Sequence, residues 1–429
     1  DSYFSEIEWE EGFKGAQLTI GLVFYDLKAG AAVTDARIVF RGIAGPPDEM
    51  GASTFKVTFA NRLNLQRVQL PETRIQRRCP WAFPTTAEQR TTAVDGGTKG
   101  TYSPFYRCGY SAGQQNGQGN LDGDGKVFGT CDYTRANCTE RGMFDQDADG
   151  HVTRRFGGIE FVPASVLVRG YGESGYHAAA VIDNEARYND FVPIVYGTAW
   201  YQPPIVFARN DGNLTRFEVL LGAGDISRVI KVVVNDNELP EAVEGTNMTG
   251  TGWFRVVSPG GPSGAFNSDF RDSAGNPLGD PYGSMAYLSV VVPNRINSGT
   301  STPQIKVLAE GLKLPRFDTD GHPVDVAFTN NPAWVLLDVL RRSGWSLDDI
   351  DLASFANTAA YCDQPVDTKD LNGNSTTIPR YQCNLVVRKR RSAADIVRGV
   401  RNGSALLLTY GSDGKMVLRA ENTIAAQQP

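Results

Sequence analysis

The residues best suited to chemistry in this sequence are four cysteines that crowd into one polar stretch. Cys79, Cys108, Cys131 and Cys138 lie within sixty residues, and the remainder of the 429-residue chain holds only two more cysteines. The intervals between the four are 28, 22 and 6 residues, so none is the Cys-x2-Cys pair that marks a zinc knuckle. From these residues alone, a zinc ion, two disulfides, an iron–sulfur cluster and free thiols all remain open.

Two acidic loops in the same stretch match the first half of a calcium-binding loop, in which alternate oxygen ligands precede a glycine. The loops are Asn120-x-Asp122-x-Asp124-Gly125 and Asp145-x-Asp147-x-Asp149-Gly150. The closing bidentate glutamate is missing, because its position falls on Cys131 in the first loop and on Phe156 in the second. Asp-Gly turns are the simpler explanation, and calcium bound by Asp145, Asp147 and Asp149 is the alternative.

The stretch that carries these residues, 79–158, is too poor in apolar residues to build a core of its own. Gly, Asn, Gln and Asp are frequent in it, and apolar periodicity is lost. We therefore expect a metal or disulfide staple to replace the missing apolar burial.

The flanking residues are typical of short β-strands. Apolar residues at alternate positions from Leu18 to Phe24 and from Phe55 to Phe59 predict strands with one buried face, and Arg37–Gly42 predicts a third strand before a turn at Gly45–Asp48. Later apolar runs predict further strands at Ile159–Val162, Val166–Arg169, Arg216–Leu221, Val229–Val234, Ala286–Val292 and Ile305–Ala309.

Helix signals appear only near the C-terminal end. Three helix starts carry capping residues: Asn331 before Pro332, Ser346 with Asp349, and Ser392 in a helix that Gly403 should stop. A hairpin of Leu406–Tyr410 and Lys415–Leu418 should follow the last helix. We therefore predict a mainly β, multidomain (β+α) protein of small β-barrels or sandwiches with a few short helices.

Composition divides the chain into four predicted parts. Residues 1–78 form a β-barrel-like domain, 79–158 the loop-rich four-cysteine metal module, 159–315 a second β domain and 316–429 an α+β domain. The 42 Lys and Arg against 48 Asp and Glu give a net charge of -6, which argues against sequence-specific or general nucleic-acid binding. The one basic run, Arg388–Arg391, is predicted to be a solvated or interface face, and no transmembrane segment is expected.

The order of motifs in the cysteine stretch resembles the minor tail protein L family of lambda-like phages. The motifs are Cys79-Pro80-Trp81, Tyr106-Arg107-Cys108-Gly109-Tyr110, Thr130-Cys131-Asp132, Cys138 and Arg155-Phe156-Gly157-Gly158. This resemblance implies an iron–sulfur cluster of the 4Fe–4S type ligated by the four cysteines, with zinc as the alternative.

The C-terminal half resembles the central tail-tip hub proteins of siphophages, the lambda J-like family. The motifs are Pro193–Gly197, Glu218–Ile226, Val232–Glu238, Gly311–Pro315, Asn330–Val335, Tyr361-Cys362-Asp363 and Tyr381-Gln382-Cys383-Asn384. The resemblance implies a homotrimeric ring at the tail tip of the virion. Its partners would be distal tail and tail tube proteins, the tape measure protein and tip or fibre proteins.

No residue set indicates an enzyme. None of the three histidines, His151, His177 and His322, lies in a nucleophile or metal-protease motif. Host-glycan binding is the alternative to the hub function, and hydrolysis of cell-wall glycan by two distant carboxylates is a weaker one. Cys362 and Cys383 bracket a polar loop and are expected to be free thiols, with a disulfide as the alternative.

Overall fold

The structure is a computed structural model. It describes residues 12, 14, 16–26, 28, 30–50, 54–61, 65–83, 85–86, 89, 130–134, 136–137, 158–159, 189–210, 213–242, 251–257, 285–297, 302–411 and 413–421. The predicted strand Val166–Arg169, and all of Ile159–Val162 except its first residue, lie outside these residues. We refer to the described residues from 189 to 421 as the body.

The described elements are mostly strands, which confirms the mainly β prediction. They are β1 (Gln17–Asp26), β2 (Ala31–Met50), β3 (Phe55–Asn61), β4 (Gln69–Leu70), β5 (Ile194–Tyr196), β6 (Thr198–Tyr201), β7 (Ile205–Asn210), β8 (Leu214–Ala223), β9 (Ile226–Val234), β10 (Asn237–Leu239), β11 (Trp253–Val257), β12 (Met285–Pro293), β13 (Ile305–Phe317), β14 (Pro323–Phe328), β15 (Pro365–Lys369), β16 (Ser375–Pro379), β17 (Leu385–Val387), β18 (Arg391–Ser392), β19 (Leu406–Tyr410) and β20 (Met416–Ala420).

Three α-helices are described, all near the C-terminal end as predicted: α1 (Pro332–Arg342), α2 (Leu352–Cys362) and α3 (Ala393–Gly403). Asn331 caps α1 by accepting a hydrogen bond from the backbone N–H of Ala333, and Ser392 caps α3 by accepting one from Asp395. None of the described helices is long and apolar enough to cross a membrane.

The predicted helix start at Ser346 is wrong. Ser346 caps only a three-residue 3-10 helix, Leu347–Asp349, and α2 begins later with Asp351 as its N-cap. The interruption lies at Ile350, which has an extended backbone, is buried, and forms a β-bridge with Met416. Burial of this one apolar side chain therefore outweighs the local helix signal.

Strands β1, β2 and β3 form an antiparallel sheet in that order. The turn predicted at Gly45–Asp48 instead lies inside β2, where the pairing with β3 shifts register on both sides of Pro47. Such bulges admit proline into a strand. The predicted buried face of β1 is also not found, because Ile20 and Leu22 are 45% and 49% exposed.

Two larger antiparallel sheets build the body. One has the order β10-β9-β13-β14, with β6 also pairing to β13, and the other has the order β11-β12-β8-β7. The long strand β13 joins three others, because Val307 lies opposite Val232 of β9 and Tyr201 of β6 and the end of β13 pairs with β14. None of the sheets formed by the described residues closes into a barrel.

Every residue of β12 is buried, because both faces of its sheet are covered. Leu288 and Val290 face the main core, which also contains α1, α2 and α3. Met285 and Tyr287 face a smaller core that includes Ile75, Trp81 and Ile159. The second face therefore packs against residues that flank or begin the cysteine stretch.

The chain pairs strands that are far apart in sequence. Strand β4 pairs with β18, so Leu70 lies opposite Arg391, and β5 pairs with β17, so Val195 lies opposite Val386. These pairs tie residues from three of the four predicted parts together. The four-part division itself stays a prediction.

Candidate functional site

The two ends of the cysteine stretch lie side by side. The backbone N–H of Ile159 donates to the carbonyl of Gln76 at 2.8 Å. On the other side, Ile75 donates to Asp190 at 2.8 Å and accepts from Asn189 at 2.9 Å. The residues just before and just after the cysteine stretch therefore lie next to each other, beside the first residues of the body.

Two of the four predicted metal-ligating cysteines, Cys79 and Cys131, are described, and the backbone brings their segments together. The N–H of Cys79 donates to the carbonyl of Tyr133 at 2.9 Å, and the N–H of Tyr133 donates to Cys131 Sγ at 3.3 Å. Tyr133 has a φ of 62°, a left-handed conformation that lets its backbone serve both cysteines. No disulfide joins Cys79 to Cys131.

This geometry fits a thiolate-ligated metal site as far as the described residues reach. Both cysteine side chains are partly exposed rather than sealed in the core, so their sulfurs can take part in a shared site. A backbone N–H aimed at sulfur stabilises a thiolate, and such bonds also tune iron–sulfur clusters. The other two predicted ligands, Cys108 and Cys138, lie outside the described residues, as do the predicted calcium ligands Asp145, Asp147 and Asp149.

The cysteine pair is anchored to the body through the smaller core. Trp81, two residues after Cys79, is buried among Ile75, Ile159 and Tyr287, and Cys79 packs against the same cluster. The sequence identified the cysteines but not this anchor, because the apolar residues on β8 and β12 that complete it are distant in sequence.

A buried charged network joins the segment ahead of Cys79 to α1. Arg342 Nε donates to Asp338 Oδ2 at 2.7 Å, and Arg342 Nη1 lies 3.2 Å from Glu72 Oε1. The Tyr196 hydroxyl donates to the same Asp338 oxygen at 2.7 Å. Sequence reasoning missed this network, whose only local signal is the Asp338–Arg342 spacing of four residues on a helix.

Burial and charge shift the proton equilibria of this network. Burial raises the pKa of Tyr196 well above its ordinary value, and the nearby Asp338 carboxylate raises it further. Burial alone would lower the pKa of Arg342, but attraction to Asp338 and Glu72 outweighs it and leaves that pKa raised. Arg342 therefore stays charged and Tyr196 stays a neutral donor, which fixes the hydrogen-bond directions.

Cys362 and Cys383 are free and buried, so the predicted disulfide alternative is not formed. Burial raises the pKa of the Cys362 thiol to about 12, with a further contribution from Asp363. Burial also raises the pKa of the Cys383 thiol to about 11. Both side chains are therefore neutral thiols at neutral pH, which makes them poor nucleophiles and poor metal ligands.

One cluster of possible metal ligands occurs among the described residues. Single ligand atoms of Asp318, Asp320 and His322 lie within 4.8 Å of one another in the turn between β13 and β14. The Asp318 carboxylate accepts backbone hydrogen bonds from Asp320 and His322, and these bonds lower its pKa. The turn itself accounts for this clustering, and we assign no ion to it.

Residues of the basic run Arg388–Arg391 contact other segments of the chain. Arg388 donates to the backbone carbonyl of Gln202, and Arg391 pairs with Leu70 in a two-stranded sheet. The Arg390 guanidinium lies 5.6 Å from the centre of the Phe191 ring, which Arg74 also covers at 5.2 Å. Two of the cations thus contact an aromatic ring or a backbone carbonyl of the chain.

Comparison with known proteins points to phages. No protein-family model matches the sequence. The chain is 35% identical over 80 residues to the "Tip attachment protein J" of Escherichia phage SECphi27, which is 17% of this chain and 6% of that protein. It also aligns with a chain of the "Virion of native gene transfer agent (GTA) particle" at 14% identity, covering 55% of this chain and 53% of that one, but the TM-score of 0.33 is too low to support an argument.

The sequence similarity supports a phage tail protein found in the virion. The chain matches only 6% of the length of the tip attachment protein. Neither comparison concerns the resemblance of the cysteine stretch to the L family, which stays a prediction.

Proposed function

We propose that this chain is a structural hub of a phage tail tip, which caps the tail tube and links it to tip or fibre proteins. In this proposal it forms a homotrimeric ring and contacts distal tail, tube and tape measure proteins. The observation that carries the proposal is the 35% identity to a tip attachment protein over 80 residues. The hub has no catalytic role and binds no nucleic acid by sequence.

The construction of the body suits such a role. The β4–β18 pair and the contact of Arg342 in α1 with Glu72 tie the body to the N-terminal part, so residues far apart in sequence form one packed unit. A unit held by long-range pairs resists local opening, which a part that carries load between tube and fibre needs.

We further propose that Cys79, Cys108, Cys131 and Cys138 hold an iron–sulfur cluster of the 4Fe–4S type, with zinc as the alternative. Four thiolates bound to one metal centre would staple residues 79–158, a stretch too poor in apolar residues to build its own core. The protein's own contribution is the backbone: Tyr133 donates its N–H to Cys131 Sγ and accepts from Cys79.

Metal analysis and absorption spectroscopy of anaerobically purified protein test the cysteine proposal. Iron and sulfide with thiolate-to-iron charge-transfer absorbance indicate the cluster, and one zinc per chain indicates the alternative. Cys131→Ser should release the metal, whereas Cys362→Ser, which replaces a buried thiol outside the module, should retain it. A metal-free protein whose module cysteines are oxidised would refute both metal assignments.

Host-glycan binding is the second candidate function. It is favoured by Trp200, an aromatic side chain on β6 that is 52% exposed and could stack on a sugar ring. Binding of host-wall saccharides by the isolated chain, lost in Trp200→Ala, would support this candidate. Release of fragments from purified wall would instead indicate a hydrolase.

Separating tails from heads tests the hub proposal. The chain should remain with purified tails after the heads are removed, in a small fixed number of copies per tail. A copy number that scales with tail length, or recovery of the chain with the heads, would contradict a hub.

A further inference from the structure

One β-hairpin of the body has almost all of its side chains exposed. Strands β15 and β16 pair only with each other among the described residues, and of positions 365–379 only Thr368 and Pro379 are not exposed. We refer to residues 365–379 as the arm. A two-stranded hairpin that packs on nothing is marginally stable in water. The arm is therefore an element that contact with a partner would stabilise.

The arm presents apolar side chains on a stiffened tip. Leu371 at the tip is fully exposed, and the cross-strand neighbours Val366 and Ile378 are 38% and 49% exposed. The Asp370 carboxylate holds the tip by accepting backbone hydrogen bonds from Asn372 and Asn374, both at 2.8 Å. Because the tip is ordered before it meets a partner, binding costs little conformational entropy.

The same chain carries a groove of about 400 Å³ between β17 and α3. Apolar residues of the strand, Leu385–Val387, and of the helix, Ile396 and Val400, line it. Two helix glycines, Gly399 and Gly403, open it further, because a methyl group on either would meet nothing within 4 Å. Strand β17 pairs only with β5 among the described residues, so its second edge carries no described strand.

We propose that the arm of one copy docks in the groove of a second copy of this chain. Leu371 would enter the apolar space over Gly399, and the charges beside the two surfaces are complementary. Lys369 and Asp370 directly precede Leu371, whereas Asp395 and Arg391 line the groove, so each surface carries one cation and one anion. In the docked register Lys369 would face Asp395 and Asp370 would face Arg391, and such pairing of opposite charges would favour this contact over a wrong register.

Placement on the chain supports a second copy as the occupant. The arm ends at Pro379 and the groove begins at Gln382, so every copy that offers an arm also offers a groove beside it. In such a heterologous interface, the arm of each copy binds the groove of the next. Contacts of this kind close into a ring when the rotation that relates successive copies is a whole fraction of a full turn. The inference rests on the proposed hub function, since it supplies the contact that would hold such a ring together.

Self-association of the full chain, measured by sedimentation velocity, tests the contact. Leu371→Asp in the arm and Gly399→Leu in the groove should each weaken association by about tenfold or more. Val324→Asp is the matched control, because Val324 is an exposed apolar residue of β14, 61% exposed and outside both surfaces. Gly399→Leu should not lower the melting temperature, since leucine favours a helix over glycine and has room.

Site-directed cross-linking separates this inference from the hub proposal. Mixing Leu371→Cys protein with Gly399→Cys protein should give disulfide-linked pairs that neither variant forms alone, in solution or in purified particles. Oligomers that survive both association variants, with no cross-link, would overturn the arm-in-groove contact and leave the hub proposal standing. A single copy of the chain per particle would overturn both.

Discussion

Replacing Arg342 by methionine should destabilise the body by about 3–5 kcal/mol. The Arg342 and Asp338 side chains are 2% and 5% exposed, with Nε and Oδ2 2.7 Å apart. At an effective dielectric constant of about 20, charges at that distance attract by about 6 kcal/mol, which roughly offsets the cost of removing two ions from water. Methionine removes the attraction but leaves Asp338 buried, with the Tyr196 hydroxyl still donating to it.

An exposed ion pair of the same length provides the control. Arg228 and Glu310 are also joined at 2.7 Å, but the Arg228 side chain is 68% exposed. Arg228→Met should therefore shift the unfolding midpoint far less than Arg342→Met does, because solvent screens an exposed pair. A second control replaces both buried partners, Arg342→Met with Asp338→Leu, which removes the unpaired charge and should recover most of the loss.

Urea unfolding followed by tryptophan fluorescence measures these differences, because Trp334 lies in α1 and Trp345 in the same core. The shift in midpoint, multiplied by the slope of the transition, gives the change in unfolding free energy. An Arg342→Met midpoint no lower than that of Arg228→Met would refute the argument that this network is a buried charged anchor.

Three further predictions concern two glycines, two buried thiols and one cysteine of the metal module. Gly311→Ala should destabilise the body strongly, because its methyl carbon would lie 2.2 Å from the Val195 carbonyl oxygen. Gly399→Ala, in open space on a helix, should instead stabilise the body by up to about 1 kcal/mol. The melting temperatures of the two variants in thermal unfolding test both expectations. The buried Cys362 and Cys383 thiols should react with a thiol reagent only upon unfolding. Because their pKa values of about 12 and 11 exceed those of the unfolded chain, their contribution to stability should be complete below pH 9 and lost as the pH rises towards 11–12. Urea titrations at increasing pH should detect this loss, and replacement of both cysteines by alanine should remove it. Loss of metal in Cys131→Ser should speed proteolysis within residues 79–158 while the body keeps its unfolding midpoint.

The sequence predicted best those elements whose signals are local. Asn331 and Ser392 cap the helices that their sequence contexts predict. The predicted hairpin is also present: β19 has the predicted bounds, and β20 covers Met416–Ala420 where Lys415–Leu418 was predicted. Local signals failed where a distant contact overrides them. At Ser346 the sequence predicts an α-helix, but Ile350 instead forms a β-bridge with Met416, which is far away in the sequence.

Several strands were beyond sequence reasoning because they are too short to show a period. The three-residue strand β17 is defined by its pairing with β5, and the two-residue strand β18 by its pairing with β4.

The candidate site was likewise predictable only in part. The cysteines were evident from composition, but the Tyr133 backbone that brings Cys79 and Cys131 together depends on a long-range hydrogen bond. The arm was missed because its exposed strands lack the alternation of buried and exposed side chains.

The central claim is that this chain is a tail-tip hub, and its position in the intact particle tests that claim most directly. Particles carrying a small tag at Asp320, in the exposed turn between β13 and β14, can be decorated with a gold-labelled binder and imaged by electron microscopy. The hub proposal predicts label at the distal end of the tail, on its axis, in a small fixed number of copies. Label along the tube, on the head, or only on fibres away from the axis would contradict it.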